Sequence, residues 1–118
     1  MNIEEFRNYC LSKKYVTESF PFDESTLVFK VAEKMFALTG LEHQPPRVNL
    51  KCDPERALEL REAYSDITAG YHMSKKHWNT VIIDGNVPNK LVTELIDHSY
   101  KLVVQGLPKK QQKELGFL

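Results

Sequence analysis

The chain has 118 residues, of which 16 are Lys or Arg and 16 are Asp or Glu, so its formal net charge at pH 7 is +0. This balance excludes a strongly basic nucleic-acid binder and an acidic disordered tail, and leaves local clusters of charge as the basis for binding a polyanion. The length predicts one domain that spans residues 1–118 and buries a core without disulfides or metals.

The cysteines and the N-terminal sequence indicate the compartment. Cys10 and Cys52 are far apart and belong to no Cys-x-x-Cys pair, which argues against a disulfide framework and against a zinc site. The N-terminus reads MNIEEFRNYC and lacks the basic segment and apolar run of a signal peptide, and no stretch approaches the roughly 18 apolar residues of a membrane span. We therefore expect a soluble cytoplasmic protein, a monomer, with no metal and no cofactor.

The first part of the chain predicts one helix followed by strands. Apolar residues recur at helical spacing between residues 2 and 13, and Asn2 is suited to cap that helix. Residues 16–41 are rich in β-branched and aromatic side chains and predict two or three antiparallel strands. A hairpin with a tight turn near residues 33–34 accounts for them economically.

Within that hairpin, alternation predicts which side chains face inward. Leu27, Phe29 and Val31 share one face of the first strand, and Phe36 and Leu38 return on the second. The segment RVNLKC alternates again, with Val48 and Leu50 predicted inward. Its outward residues are Arg47, Asn49 and Lys51, which give this strand a polar, basic outer face.

The rest of the chain predicts two helices separated by a strand. Asp53 and Pro54 form a strong helix start, and that helix runs to about Tyr64. The segment WNTVIID is a strand, and residues 89–105 carry the wide apolar stripe of a helix. The order α-β-β-β-β-α-β-α predicts the α+β class, with an antiparallel sheet of about five strands and helices packed on one face.

Several separated segments resemble one family of small bacterial proteins. They are FPFDESTLVFKV, KMFAL, VNLKCDPERALELRE, GYHMSKKHWNTV and LPKK, in this order. From about Tyr9 to Lys110 the chain resembles the MmcQ/YjbR-like family. The resemblance implies a frataxin-like (CyaY-like) arrangement, and the family's members are described as DNA-binding proteins with a double wing of hairpins. One departure is the turn VAEKM, where the family usually has glycine.

The segment GYHMSKKHW is the first candidate for a functional loop. Lys75 and Lys76 are suited to neutralise phosphates, and His77 and Asn79 to add hydrogen bonds. If the strand WNTVIID lies beside RVNLKC, this loop and the outer face of RVNLKC form one basic surface. Its members are then Arg47, Asn49, Lys51, Lys75, Lys76, His77 and Asn79. Trp78, at the start of an apolar run, is instead predicted to pack in the core.

The alternatives are a solvated loop and an ordinary polar strand face, since lysine on an exposed strand also discourages aggregation. Catalysis has little support, because His72 and His77 are five residues apart and lack carboxylates at metal-site spacing. Cys52 closes an apolar strand and is expected to be buried and inert. We assign no catalytic residue and no metal ligand.

Two functional hypotheses remain. The first is a non-enzymatic DNA-binding protein that contacts the phosphate backbone through the basic loop and strand face, with little sequence specificity. The second is a module of the same fold that binds a protein partner or a small anionic ligand on the exposed sheet face and the GYHMSKKHW loop.

Overall fold

Ten helices and strands follow one another in the computed structural model, which describes all 118 residues. They are α1 (Ile3–Leu11), β1 (Val16–Ser19), β2 (Thr26–Val31), β3 (Lys34–Gly40), β4 (Arg47–Lys51), α2 (Pro54–Ala63), β5 (Ile67–Ala69), β6 (Trp78–Ile82), α3 (Asn89–Gln105) and α4 (Lys109–Glu114). The sequence missed only β5 and α4. Strand β5 has only three residues, which is too few to show an alternating pattern. Helix α4 depends on the side chain of Gln112, which donates to the carbonyls of Gln105 and Leu107.

The six strands form one sheet in the order β1-β2-β3-β4-β6-β5, and every neighbouring pair is antiparallel. The predicted α+β class is confirmed, with six strands in place of about five. Strand β6, which contains the segment WNTVI, lies between β4 and β5. The segment WNTVIID therefore lies beside RVNLKC, as the predicted shared surface requires.

The main core lies between the sheet and the helices. Its 21 buried residues include Phe6 of α1, Phe29 of β2, Val48 of β4 and Ile96 of α3. Alternate strand residues face this side, which confirms the predicted inward positions on β2 and β4. Both predicted helix caps are also present: Asn2 accepts from the Glu5 amide, and Asp53 accepts from the Arg56 amide.

The opposite side of the sheet, here called the open face, carries a second and smaller apolar cluster. Val28, Leu38 and Trp78 are buried there, with Met35 and Met73 packed against them. The prediction that Trp78 packs is confirmed, at 9% exposure, but it packs on the open face.

The prediction that Phe36 and Leu38 face the same side is wrong. The register shifts between Phe29 and Lys30, so that Ala37 lies opposite Phe29 and Met35 opposite Lys30. Phe36 is the extra residue of this β-bulge and stays in the main core, while Leu38 lies opposite Val28 on the open face.

None of the helices is both long and apolar enough to cross a lipid bilayer.

Candidate functional site

The open face has a cavity of about 350 Å³ at the end of the sheet where β3 ends and β4 begins. We call it the open-face pocket. Its walls come from β2, β3, β4 and β6 and from three loops. The lining residues are Phe22, Asp23, Thr26, Met35, Leu38, Thr39, Gly40, His43, Arg47, Asn49, Tyr71, His72, Met73 and Thr80. Two of the predicted site residues, Arg47 and Asn49, therefore line it.

A hydrogen-bonded network joins the sheet to the first half of the β5–β6 loop. The Thr80 hydroxyl donates to the Asn49 side-chain oxygen, and it accepts from the Tyr71 amide at 3.1 Å. The Asn49 amide group in turn donates to the Tyr71 carbonyl at 3.4 Å. Asn49 and Thr80 lie opposite each other on β4 and β6, so strand pairing itself places the pair under this loop. The loop wall is therefore held at a fixed position over the sheet.

Arg47 lies in the pocket wall without a partner. Its backbone carbonyl accepts from the Thr39 hydroxyl at 2.8 Å, but its guanidinium forms no hydrogen bond and no ion pair with the protein. The Nε atom of Arg47 is buried and is the one buried side-chain nitrogen or oxygen in the chain without a hydrogen-bond partner. A buried polar group in this condition is uncommon, because it has lost water without gaining a protein acceptor.

Two histidines line the same pocket from opposite loops. The His43 ring lies so close to Gly40 that a Cβ at that position would be 2.6 Å from the ring carbon Cδ2. His72 has a φ of 57°, and its ring centroid is 4.0 Å from that of Tyr71. Neither histidine side chain is hydrogen-bonded to the protein, so both rings have donors and acceptors available to a ligand.

The one carboxylate of the pocket is occupied by its own loop. Asp23 accepts from the amides of Ser25 and Thr26 at 2.9 and 2.6 Å, and from the Thr26 hydroxyl at 3.1 Å. The hydrogen bond from the Ser25 amide, followed by those from Thr26, holds the pKa of the Asp23 carboxyl below its ordinary value. Asp23 is therefore a fixed negative charge that does not pair with Arg47. No group of three or more His, Cys, Asp or Glu side chains is arranged to hold a metal ion.

The predicted lysines lie elsewhere. Lys75, Lys76 and His77 are exposed, and the two lysines line a separate groove beside α2 together with Leu58 and Arg61. The β5–β6 loop is therefore divided: its first half covers the open-face pocket and its second half lies against α2.

Lys51 is also separated from Arg47. The two residues are the ends of β4, about 13 Å apart along the strand. Lys51 is half-buried opposite Trp78 and lines a third groove with Lys34 and the C-terminal end of α3. The predicted basic surface is thus not one continuous patch.

The prediction that Asn79 belongs to the exposed surface is wrong. Asn79 pairs with Leu50 and faces the helices, where it is 2% exposed. Its side-chain oxygen accepts from Nε of Arg61 at 2.7 Å, and its amide group donates to the Ala57 carbonyl at 3.3 Å. Trp78 and Asn79 are neighbours on a strand and so point to opposite faces. Asn79 therefore fixes α2 to β6 and is unavailable to a ligand.

Both cysteines are buried, as the sequence predicted for Cys52. Burial raises the pKa of the Cys52 thiol to about 11 and that of Cys10 to about 12. Neither is a thiolate at neutral pH, so neither is suited to act as a nucleophile.

The sequence identified the GYHMSKKHW loop, whose first half lines the pocket, but missed most of the remaining wall, in particular Met35, His43 and Thr80. These residues come from segments far apart in the chain, and no local spacing connects them. One signal was present: β2 and β3 carry apolar residues at successive positions, as strands do when both faces are covered.

Comparisons with known proteins give the family of the chain. The family model YjbR matches residues 11–102. YjbR of Escherichia coli strain K12 is 36% identical over 115 residues, covering 98% of both chains, and YbdF of E. coli O157:H7 is 37% identical over 112 residues, covering 95% of this chain and 92% of its own. Both relatives are described as uncharacterised.

Solved structures agree. The crystal structure of DR2400 from Deinococcus radiodurans superposes with a TM-score of 0.93 at 46% identity, over 98% of this chain and 88% of that one. A crystal structure from Pseudomonas syringae gives a TM-score of 0.75 at 28% identity, over 86% of this chain and 98% of that one. The chain belongs to the YjbR family.

Proposed function

We propose that this protein is a non-enzymatic, cytoplasmic binding protein that holds a small anionic ligand in the open-face pocket. The observation that carries the proposal is the unpartnered guanidinium of Arg47, whose Nε is buried without a hydrogen bond. A planar guanidinium presents paired donors that match a carboxylate or phosphate, and such charge-assisted bonds are stronger than neutral ones. A bound anion would provide the acceptor that Arg47 lacks.

The surroundings of Arg47 support the same proposal. The wall beside it is fixed by the Asn49, Thr80 and Tyr71 network, so the pocket is preorganised. His43 and His72 add two side chains that are free to bond a ligand. A volume of about 350 Å³ lies within the range of small-molecule sites.

The test uses the variant Arg47→Gln, which keeps a polar side chain but removes the charge. Amide chemical shifts of the labelled protein, titrated with benzoate and with inorganic phosphate, should locate binding at Asn49 and residues 71–73. The variant should weaken binding by about 30-fold, which corresponds to a charge-assisted hydrogen-bond contribution of about 2 kcal/mol.

The second measurement is the stability of the ligand-free protein, which replacing Arg47 should increase although it weakens anion binding. Without ligand, Arg47→Met should raise the free energy of unfolding by up to about 1 kcal/mol, because it removes a buried donor that has no partner. The matched control is Arg7→Gln, which changes an exposed arginine paired with Glu18 and should alter neither measurement appreciably. Equal anion affinity of the wild type and Arg47→Gln would exclude Arg47 as the anion site.

DNA binding is the second candidate, and one observation favours it. Lys75 and Lys76 are exposed on one loop, and neither pairs with a carboxylate, since the ion pairs of the chain are Arg7–Glu18 and Lys13–Asp97. Such free lysines are suited to neutralise phosphates, with His77 beside them as a further donor. The double-wing and frataxin-like comparisons remain predictions. Replacing both lysines by alanine tests this candidate with a short duplex.

A further inference from the structure

The floor of the open-face pocket is apolar. Met35, Leu38 and Met73 line it, and they pack on Val28 and Trp78 in the small cluster of the open face. Methionine side chains are flexible and polarisable, so this floor can adapt to the shape of a bound group. Burial of a ligand's apolar body against this floor would favour binding, because it removes apolar surface from water.

The rim of the pocket has two exposed aromatic rings. Phe22 is 67% exposed and Tyr71 is 65% exposed, and both line the pocket. They come from different loops, the β1–β2 loop and the β5–β6 loop. Aromatic rings prefer offset-stacked or edge-to-face partners, and a ring held in the pocket would supply such a partner to either side chain.

The charge of the pocket suits one negative group and disfavours several. Arg47 is the one Lys or Arg side chain in the lining. The Asp23 carboxylate is held in place by the amides of Ser25 and Thr26 and remains negative. A monoanion can place its charge on Arg47 alone. A second negative group would find no second Lys or Arg in the lining, only the rings of His43 and His72 as further donors, and would lie in the pocket that also holds the exposed Asp23 carboxylate.

The volume of the pocket sets the size of the ligand. A cavity of about 350 Å³ lies at the small end of the range of ligand sites, so the ligand is a small molecule. Inorganic phosphate would leave the methionines and aromatic rings without contacts. A carboxylate on a two-ring body fits the volume.

We infer that the open-face pocket binds an aromatic monocarboxylate, with the carboxylate on the guanidinium of Arg47 and the ring body between the floor of Met35, Leu38 and Met73 and the rim of Phe22 and Tyr71. This inference rests on the proposed function and narrows it from small anions in general to one chemical class.

The experiment is a chemical-shift titration of the full chain with four probes. They are naphthalene-2-carboxylate, the neutral naphthalene-2-carboxamide, the dianion naphthalene-2,6-dicarboxylate and inorganic phosphate. The monocarboxylate should shift the amides of Leu38, Asn49 and residues 71–73, and should bind at least tenfold more tightly than each of the other three probes.

Three variants assign the contacts. Arg47→Gln should weaken the monocarboxylate at least tenfold and leave the carboxamide unchanged. Met73→Gln replaces a half-buried loop residue of the floor and should weaken binding of the monocarboxylate and of the carboxamide severalfold. Arg7→Gln, outside the pocket, should change neither. Retained dispersion of the amide spectrum in each variant shows that the fold is intact.

The outcomes distinguish the anion pocket of the proposed function from its aromatic monocarboxylate ligand. If phosphate or the dianion binds as tightly as the monocarboxylate and depends on Arg47, the aromatic monocarboxylate is excluded while the anion pocket stands. If the carboxamide binds as tightly as the carboxylate, Arg47 has no role and both claims are overturned. If no probe shifts the pocket amides at millimolar concentration, the proposed function itself fails.

Discussion

His98 joins α3 to the N-terminus of α2 through a hydrogen bond that requires the neutral imidazole. The Asp53 amide donates to Nε2 of His98 at 3.1 Å, so this nitrogen must be unprotonated. Burial, and then the positive charge of Arg56, lower the pKa of His98 below its ordinary value of 6.5. Both observations favour the neutral form in the folded state.

The pKa of His98 therefore predicts how stability depends on pH. Because the folded-state pKa is depressed, the unfolded chain binds the proton more readily, and folding stability is fully present above about pH 6.5. It should decrease as the pH falls from that value towards the folded pKa. Urea unfolding between pH 7.5 and 5 should reveal a loss of a few tenths of a kcal/mol, less than the ~1 kcal/mol of a buried hydrogen bond because solvent screens this partly exposed contact.

A matched variant isolates this residue from the other histidines. His98→Gln retains an acceptor for the Asp53 amide but does not titrate, so its stability should change less than that of the wild type over the same pH range. His98→Ala should be less stable at every pH because the acceptor is gone. Identical pH dependence of the wild type and His98→Gln would show that this hydrogen bond is not the titrating contact.

The β2–β3 hairpin closes with two residues in the left-handed region. Ala32 has a φ of 49° and Glu33 a φ of 67°, between the paired residues Val31 and Lys34. A two-residue loop with both φ values positive is a type I′ turn, which favours Asn-Gly. The family that the sequence resembles usually has glycine in this turn. The positive φ of Glu33 gives the physical reason, because glycine adopts this region without steric cost.

This geometry predicts that Glu33→Gly stabilises the protein. Glycine adopts the left-handed region without the steric cost that a side chain imposes, so the free energy of unfolding should rise by up to about 1 kcal/mol. Thermal unfolding should then move upward by a few degrees. Glu33→Ala is the control, since it removes the carboxylate but keeps Cβ, and it should give no gain. A variant Glu33→Gly no more stable than Glu33→Ala would contradict this explanation.

Elements that depend on local patterns could be predicted from the sequence, and those that depend on pairing could not. The Asp53–Pro54 start and the helix at residues 89–105 agree with the structure because caps and apolar spacing are local. The position of Leu38 could not be obtained, because a β-bulge depends on the partner strand. Asn79 was misassigned because the partner that explains its burial, Arg61, is eighteen positions away on another element.

The whole molecule distributes its positive charge over separate places, which limits what a single surface can bind. Arg47 lies in the open-face pocket, Lys51 lies at the other end of β4, and Lys75 and Lys76 lie beside α2. With a net charge of +0, no long-range attraction to a polyanion is available beyond these clusters. The sequence identified most of these residues correctly as exposed or outward-facing, but their grouping depends on how distant strands and loops come together.

This separation predicts that the two candidate functions respond to different variants. The double variant Lys75→Ala with Lys76→Ala should weaken binding to a short duplex evenly across sequences and reduce the salt slope by up to about 2, one counterion for each lysine. It should leave the affinity for naphthalene-2-carboxylate within about twofold, because the two cavities share no lining residue and distant sites act additively. Arg47→Gln should weaken the binding of naphthalene-2-carboxylate and leave the affinity for the duplex within about twofold. Unchanged duplex binding of the lysine variant at several salt concentrations would remove the loop from the DNA proposal. Loss of both ligands in both variants would instead mean that the pocket and the lysine loop form one coupled surface.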